Sequence, residues 1–215
     1  ALTTFGIGLA ACQAAENPAT PSDQPAGPSI EYIPMDAPPG MAEAVVVQGF
    51  PLVHTRQLLP LDREGKLVGQ DSVDQQIEQT LDNLDAVLKD NGSGMDKLVR
   101  LNIYALAPQT VARTRELLAK RLADPVRPAI TSVLTSLPHR GAMVALDAVA
   151  ATEAASADGV AMKRTEAVSG KEGFADAAVL RGGAAYLSGQ PDAAGLTQNA
   201  VERSMSHLMT TLGHL

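Results

Sequence analysis

Arg127-Pro128-Ala129-Ile130-Thr131-Ser132-Val133, then Leu137-Pro138, then Met143-Val144-Ala145-Leu146-Asp147-Ala148-Val149-Ala150 is the stretch whose reading decides the fold. Two short β-type runs are separated by a Leu-Pro turn, and a strand–helix–strand–helix pattern precedes them. Upstream, Val73, Ile77, Leu81, Leu84 and Leu88 recur at steps of three and four, the spacing of one apolar helical stripe. Asp71 or Ser72 is placed to cap that helix, and Asn91-Gly92 to end it. Lys97 to Leu106 alternates. Val99, Leu101, Ile103 and Ala105 fall on one side, and Arg100, Asn102 and Tyr104 on the other, as in a strand with one buried face. Pro108 suits the first turn of a second helix, with Val111, Leu118 and Leu122 inward and a stop before Pro125.

Val45-Val46-Val47 and Leu52-Val53-His54, joined at Gly49-Phe50-Pro51, read as a hairpin. The whole is an α+β fold of order β-β-α-β-α-β-β, one sheet with two helices packed on one face. The other sheet face carries aliphatics around Ala145-Leu146 and Val149, which predicts an oligomer.

Composition removes several function classes. Aromatics make up 3% and Trp is absent, so base-stacking platforms are not expected. A net charge of −7 opposes phosphate neutralisation, so no nucleic-acid partner is expected. One Cys cannot form an internal disulfide or a Cys-rich zinc site. His54, His139, His207 and His214 show no metal-binding spacing. No metal and no cofactor are expected.

The flanks read differently. Residues 1–12 are small and apolar up to Leu9-Ala10-Ala11-Cys12, similar to a bacterial lipobox behind a truncated signal; a buried strand with an incidental Cys is the alternative. The lipobox reading makes Cys12 a lipidation site and places the protein on the periplasmic side of a bacterial cell envelope, with the lipid as its only membrane contact. Residues 13–40 hold half of the 14 prolines and read as a Pro-rich tether, with Ile30-Glu31-Tyr32-Ile33 placed to dock on the domain. Residues 41–152 form the first domain and 153–173 a linker. Residues 174–215 then restart the pattern. Ala44–Gln57 lines up with Ala177–Gln190 with four identities. Ile77, Leu81, Leu84 and Leu88 line up with Val201, Met205, Leu208 and Leu212. This is a partial second copy, expected to belong to a longer tandem protein.

At these residues the chain resembles the Rid family, also called YjgF, of chorismate-mutase-like α+β fold. The resemblance rests on Gln57 and the turn to Gly65, Gln79-Thr80-Leu81-Asp82-Asn83-Leu84, Arg127-Pro128-Ala129, Leu137-Pro138, Val144–Ala150, and Ser188-Gly189-Gln190 of the second copy. It implies a homotrimer with sites between subunits. It also implies enamine/imine deaminase chemistry, the hydrolysis of reactive 2-imino acids to keto acids and ammonia. The partner is then a small-molecule imino, enamine or keto acid. In that pattern an Arg after the Pro-Ala pair holds the substrate carboxylate by a bidentate fork. A Glu on the last strand positions water, and a Ser-Gly-Gln Ser and a Tyr line the cleft. Here Ile130 stands at the Arg position and Asp147 at the Glu position. Thr55-Arg56-Gln57 stands for Ser-Gly-Gln, and Ala42 for the Tyr. Thr55, Arg56, Gln57 and Arg127, with Ser188 and Gln190 of the second copy, remain as candidate substrate-binding residues. Arg56 and Arg127 are the candidates to replace the missing guanidinium. The first domain therefore reads as catalytically degenerate; the alternative for the whole chain is a non-catalytic small-molecule-binding or scaffold module.

Overall fold

The computed structural model describes residues 27–34, 41–154, 159–170, 172–181 and 197–212. Cys12, Ser188 and Gln190 lie outside the described residues. The elements run β1 (Ser29–Pro34), β2 (Ala42–Gln48), β3 (Leu52–Thr55), α1 (Val73–Asp90), β4 (Leu98–Ala105), α2 (Pro108–Arg121), β5 (Ala129–Leu134), β6 (Val144–Ala151), β7 (Val160–Lys163), β8 (Ala177–Leu180) and α3 (Gln198–Leu212).

The apolar stripe of α1 behaves as its spacing dictates: Ile77, Leu81, Leu84 and Leu88 are fully buried, joined by Val87. Of the two candidate caps, Ser72 is the one used. Its Oγ accepts from the Gln75 amide at 3.3 Å, satisfying one of the free first-turn donors. At the far end the Ser93 amide donates to the Leu88 carbonyl and the Gly92 amide to the Lys89 carbonyl. That Schellman arrangement needs the positive φ (68°) that Gly92 adopts. Pro108 opens α2, where its missing N–H costs nothing.

The main sheet has order β5-β4-β6-β3-β8-β7. β4 and β5 are parallel and joined through α2, as a crossover helix requires; the other pairings are antiparallel. Leu101, Ile103 and Ala105 of β4, and Val144, Leu146, Ala148 and Ala150 of β6, meet α1 and α2 in one core. Two arginines of α2 tie the helices together at the rim: Arg113 pairs with Asp74, and Arg121 with Asp82 and Glu78. The opposite sheet face is open to a separate two-stranded ribbon, β1–β2. The Tyr32 hydroxyl anchors this ribbon by donating to the Leu98 carbonyl at 3.1 Å, and the Ala42 amide by donating to the Pro128 carbonyl at 3.2 Å.

Three features depart from the sequence-based expectations. β2 does not pair with β3; it pairs with β1, Ile30 opposite Val47. The Pro-rich stretch expected to be a tether thus contributes β1, with Pro28 before it and Pro34 at its last position, where an absent N–H is tolerated. Finally, the stretch 153–173 expected to be a linker contains β7, and β7–β8 join the main sheet, β8 lying directly on β3 with Val53 opposite Val179. A chain pattern fixes strand faces but not strand partners, because pairing is nonlocal. The helix α3, expected to repeat α1, differs from it: Val201 and Met205 are exposed where the aligned Ile77 and Leu81 are buried.

Candidate functional site

The positions expected to carry chemistry sit on four strands, β2, β3, β5 and β6, on the residues that follow β3, and on the loop before β5. Ile130 is the second residue of β5, paired in register with Leu101, and its side chain packs against the buried core. Asp147 on β6 pairs with Asn102. Successive strand residues point to opposite faces, so Ile130 and Asp147 face opposite sides of the sheet within this chain. Ala42 is buried at the start of β2.

The candidate guanidiniums are already engaged. Arg56 forms a salt bridge to Asp176 at 2.8 Å and donates to the Ser169 carbonyl at 2.5 Å and the Gln57 carbonyl at 3.0 Å. Asp176 is almost wholly buried, and its other carboxylate oxygen accepts from the Thr165 amide at 3.0 Å. The Arg56 amide adds a backbone bond to the Asp176 carbonyl. Three of these contacts, the two from Arg56 to Asp176 and the one to the Ser169 carbonyl, fasten the β7–β8 segment to the end of β3. Arg127 turns back to Asp124 and the Val126 carbonyl. Thr55 is spent on the sheet: where β3 leaves the β6 ladder, its Oγ1 accepts from the Ala148 amide at 3.0 Å. The bridge Leu58–Leu146 resumes pairing three residues on. Gln57 supplies the carbonyl that Arg56 holds.

Asp147 belongs to a polar group on the open sheet face. The Asn102 amide donates to it at 2.8 Å. Tyr104, two residues along β4, is pushed up to about 12 by burial first, then by its hydrogen bond to Asp147 and by that carboxylate's charge. His54 on β3 lies in the row His54–Val149–Arg100. Its imidazole is held below the usual range by burial first and by the Arg100 guanidinium second, with Asp147 pulling the other way. Arg100 is brought here by a register shift in β4 between Leu98 and Arg100, a bulge of the kind that re-aims side chains. Val45 and Val47 of the ribbon roof a cleft of about 310 Å³ over Leu52, Val99, Arg100 and Val149. The alternation in 97–106 had placed Arg100, Asn102 and Tyr104 on one face; what it could not supply was His54 and Asp147 across from them, on strands 46 and 45 residues away in sequence. Among the described residues no cluster of His, Cys, Asp or Glu is arranged to hold a metal ion, and no helix is long and apolar enough to cross a membrane.

The endoribonuclease L-PSP family model matches residues 44–152, just over half of the chain. The chain belongs to that family, the YjgF/Rid family. No curated protein matches it. Among solved structures, a Rid-family protein of unknown function, YyfB from Yersinia pestis, is 23% identical with a TM-score of 0.50; the match covers 57% of this chain and 98% of that one. NMB1025 of Neisseria meningitidis, a member of the YjgF family, is 20% identical over 59% of this chain and 98% of that one, with a TM-score of 0.42. Yeast Mmf1 is 20% identical over 58% and 100%, with a TM-score of 0.44. The Yersinia likeness shows the Rid fold alone: α1, α2 and the mixed sheet are the architecture this chain shares with it.

Proposed function

We propose that the Rid domain of this chain, residues 41–152, is a non-hydrolysing member of its family that binds a small keto or imino acid without deaminating it. The observation that carries this reading is Ile130: the position that offers a guanidinium in the deaminase pattern holds an aliphatic side chain packed against the core. An absent charge-assisted contact removes about 1.5–3 kcal/mol of substrate binding, roughly 10- to 100-fold. The two candidate replacements are occupied, Arg56 by Asp176 and Arg127 by Asp124. The Thr55 hydroxyl is taken by a backbone amide. The family's endoribonuclease description fits this chain poorly as an activity, because a net charge of −7 repels a polyanion.

The second reading gives the chain's deaminase activity to the second copy, on the strength of Ser188-Gly189-Gln190. A repeat is supported by register as well as by sequence. Val47 and Leu180 are aligned positions; Val47 faces Ile30 in one hairpin, and Leu180 faces Val160 in the other. The same proposal includes a trimer-like homo-oligomer, favoured by Leu106 and Val133 standing exposed at the end of β4 and on β5, and an envelope anchor at Cys12. Palmitate labelling that survives Cys12→Ser would remove the anchor, and a monomer in light scattering would remove the oligomer. The catalytic reading is tested by ammonia release from 2-iminobutanoate. The expected rate equals that of buffer; acceleration abolished by Ser188→Ala would favour the second reading, and acceleration that Ser188→Ala leaves intact would overturn the proposal.

A further inference from the structure

The bulge in β4 breaks the alternation of 97–106 at one place, and that place lies under the ribbon. Strict alternation sends Val99 and Arg100 to opposite sides of the strand. In the structure Arg100 pairs with Val149 and Leu98 with Ala150, which leaves Val99 as the extra residue, and Val99 and Arg100 both line the cleft. A bulge sets two residues of one strand against one of its partner. Here it puts an aliphatic side chain and a guanidinium side by side.

The rest of the lining is aliphatic. Leu52 and Val149 come from the sheet, and Val45 and Val47 from the ribbon. All four, with Val99, are half-buried, so their apolar surface is partly uncovered. The ribbon roof is fixed in place by the Tyr32 and Ala42 hydrogen bonds to Leu98 and Pro128. Arg100 is exposed, and among the described residues no hydrogen bond or ion pair engages its guanidinium. Other arginines are answered by carboxylates: Arg56, Arg113, Arg121 and Arg127 each hold one. The carboxylate of this face, Asp147, is taken by the Asn102 amide and the Tyr104 hydroxyl.

One cation in an apolar cleft selects its ligand. A single guanidinium matches a single carboxylate in charge and in planar donor geometry. A doubly charged head would bring a second charge into apolar surroundings with nothing to pair it. The cleft of about 310 Å³ sits near the lower bound of roughly 300 Å³ for small-molecule sites, which suits a medium-length tail.

We propose that the cleft between the ribbon and the open sheet face binds an unbranched medium-chain monocarboxylate. Arg100 holds the carboxylate, and Val45, Val47, Leu52, Val99 and Val149 cover the tail. The site lies at the far end of β4 and β6 from Leu106 and Val144, and it does not depend on whether the Rid domain hydrolyses imines.

The test is calorimetric titration of the full chain with octanoate, with the His54 imidazole resonance followed in parallel. Saturable binding is expected. A carboxylate on Arg100 offsets the guanidinium charge that helps to lower His54, so the His54 midpoint should rise at saturation. Arg100→Gln is expected to weaken binding 10- to 100-fold, and Val47→Asp to abolish it. Arg140→Gln, the same charge change at an exposed residue before β6, should leave it intact. Octan-1-ol, which has the tail without the charge, should bind at least tenfold more weakly. Each methylene taken from the acid should weaken binding about fourfold. Absence of saturable binding by the wild-type chain would overturn the site. So would binding that Arg100→Gln leaves unchanged, equal binding of octan-1-ol or of butanoate, or a His54 midpoint that stays fixed at saturation. The ammonia assay reads hydrolysis alone, so acceleration there refutes the non-hydrolysing reading and leaves this site standing.

Discussion

Ile130 and Asp147 show how one substitution changes the meaning of a neighbour. With an arginine at 130, Asp147 would read as half of a catalytic pair. With an aliphatic residue there, Asp147 is the acceptor of a sheet-face group built from Asn102 and Tyr104. Two titrations check that group. Asp147→Asn should bring Tyr104 down from about 12 toward the ordinary phenol value, read by absorbance of the phenolate. The same substitution should lower His54 further, and Arg100→Gln should raise it, because the carboxylate and the guanidinium act on the imidazole with opposite sign; the imidazole resonances report both. His54 also links stability to pH. Its folded value lies below the unfolded value of about 6.5, so the unfolded chain binds protons more readily in that window. Its contribution is present above pH ~6.5 and is lost as pH falls through the folded value. Urea midpoints taken across mild acidification should fall, and the fall should be smaller in His54→Gln. Ile130 itself packs partly buried against the edge of the core, and Ile130→Ala should cost about 1 kcal/mol, measured by urea unfolding.

At the scale of elements, α1 supports both the core and the loop that follows β3. The Gln76 side chain takes the Met143 amide at 2.7 Å and gives to the carbonyls of Gly69 and Gly141. The two Asn83 donors hold the carbonyls of Leu59 and Leu61. The family-like segment Gln79–Leu84 is thus partly a clamp for the 59–61 turn. Asn83→Leu leaves two carbonyls without those donors and should cost about 1–3 kcal/mol. Leu84→Ala, wholly in the core, should cost 2–5 kcal/mol. Both are read from chemical denaturation midpoints. These elements were legible because helix and strand periods are local. The stripe 73–88, its caps and the alternation of 97–106 need only neighbours in sequence. The partner of β3 was not legible. A three-residue connection at 49–51 favours a hairpin on local grounds, yet β2 turns away to β1 and β8 takes its place. The same limit applies to the site. That position 130 lacks a guanidinium is visible in the sequence. That Arg56 is tied to Asp176, 120 residues away, and that the ribbon roofs Arg100, are facts of the tertiary arrangement.

Over the whole molecule, the Rid domain is closed by a segment that follows it. β8 lies on β3, and Arg56, nearly a third exposed, meets an almost fully buried Asp176. Arg63 adds a bond to the Glu166 carbonyl at 2.8 Å. Asp176→Ala leaves the Arg56 guanidinium and the Thr165 amide without their acceptor. It should destabilise the chain by about 3 kcal/mol and expose the β3 amides that face β8, which hydrogen exchange would read as faster exchange at His54 and Arg56. Unchanged exchange would mean that β8 is held without the clasp.

The central claim concerns chemistry at position 130, and its most direct measurement is the single-turnover decay of 2-aminoacrylate with the full chain in excess. The account predicts a decay constant equal to that of buffer alone, unchanged in Arg56→Ala and Arg127→Ala. Decay accelerated by the wild-type chain and lost on removing either arginine would contradict it.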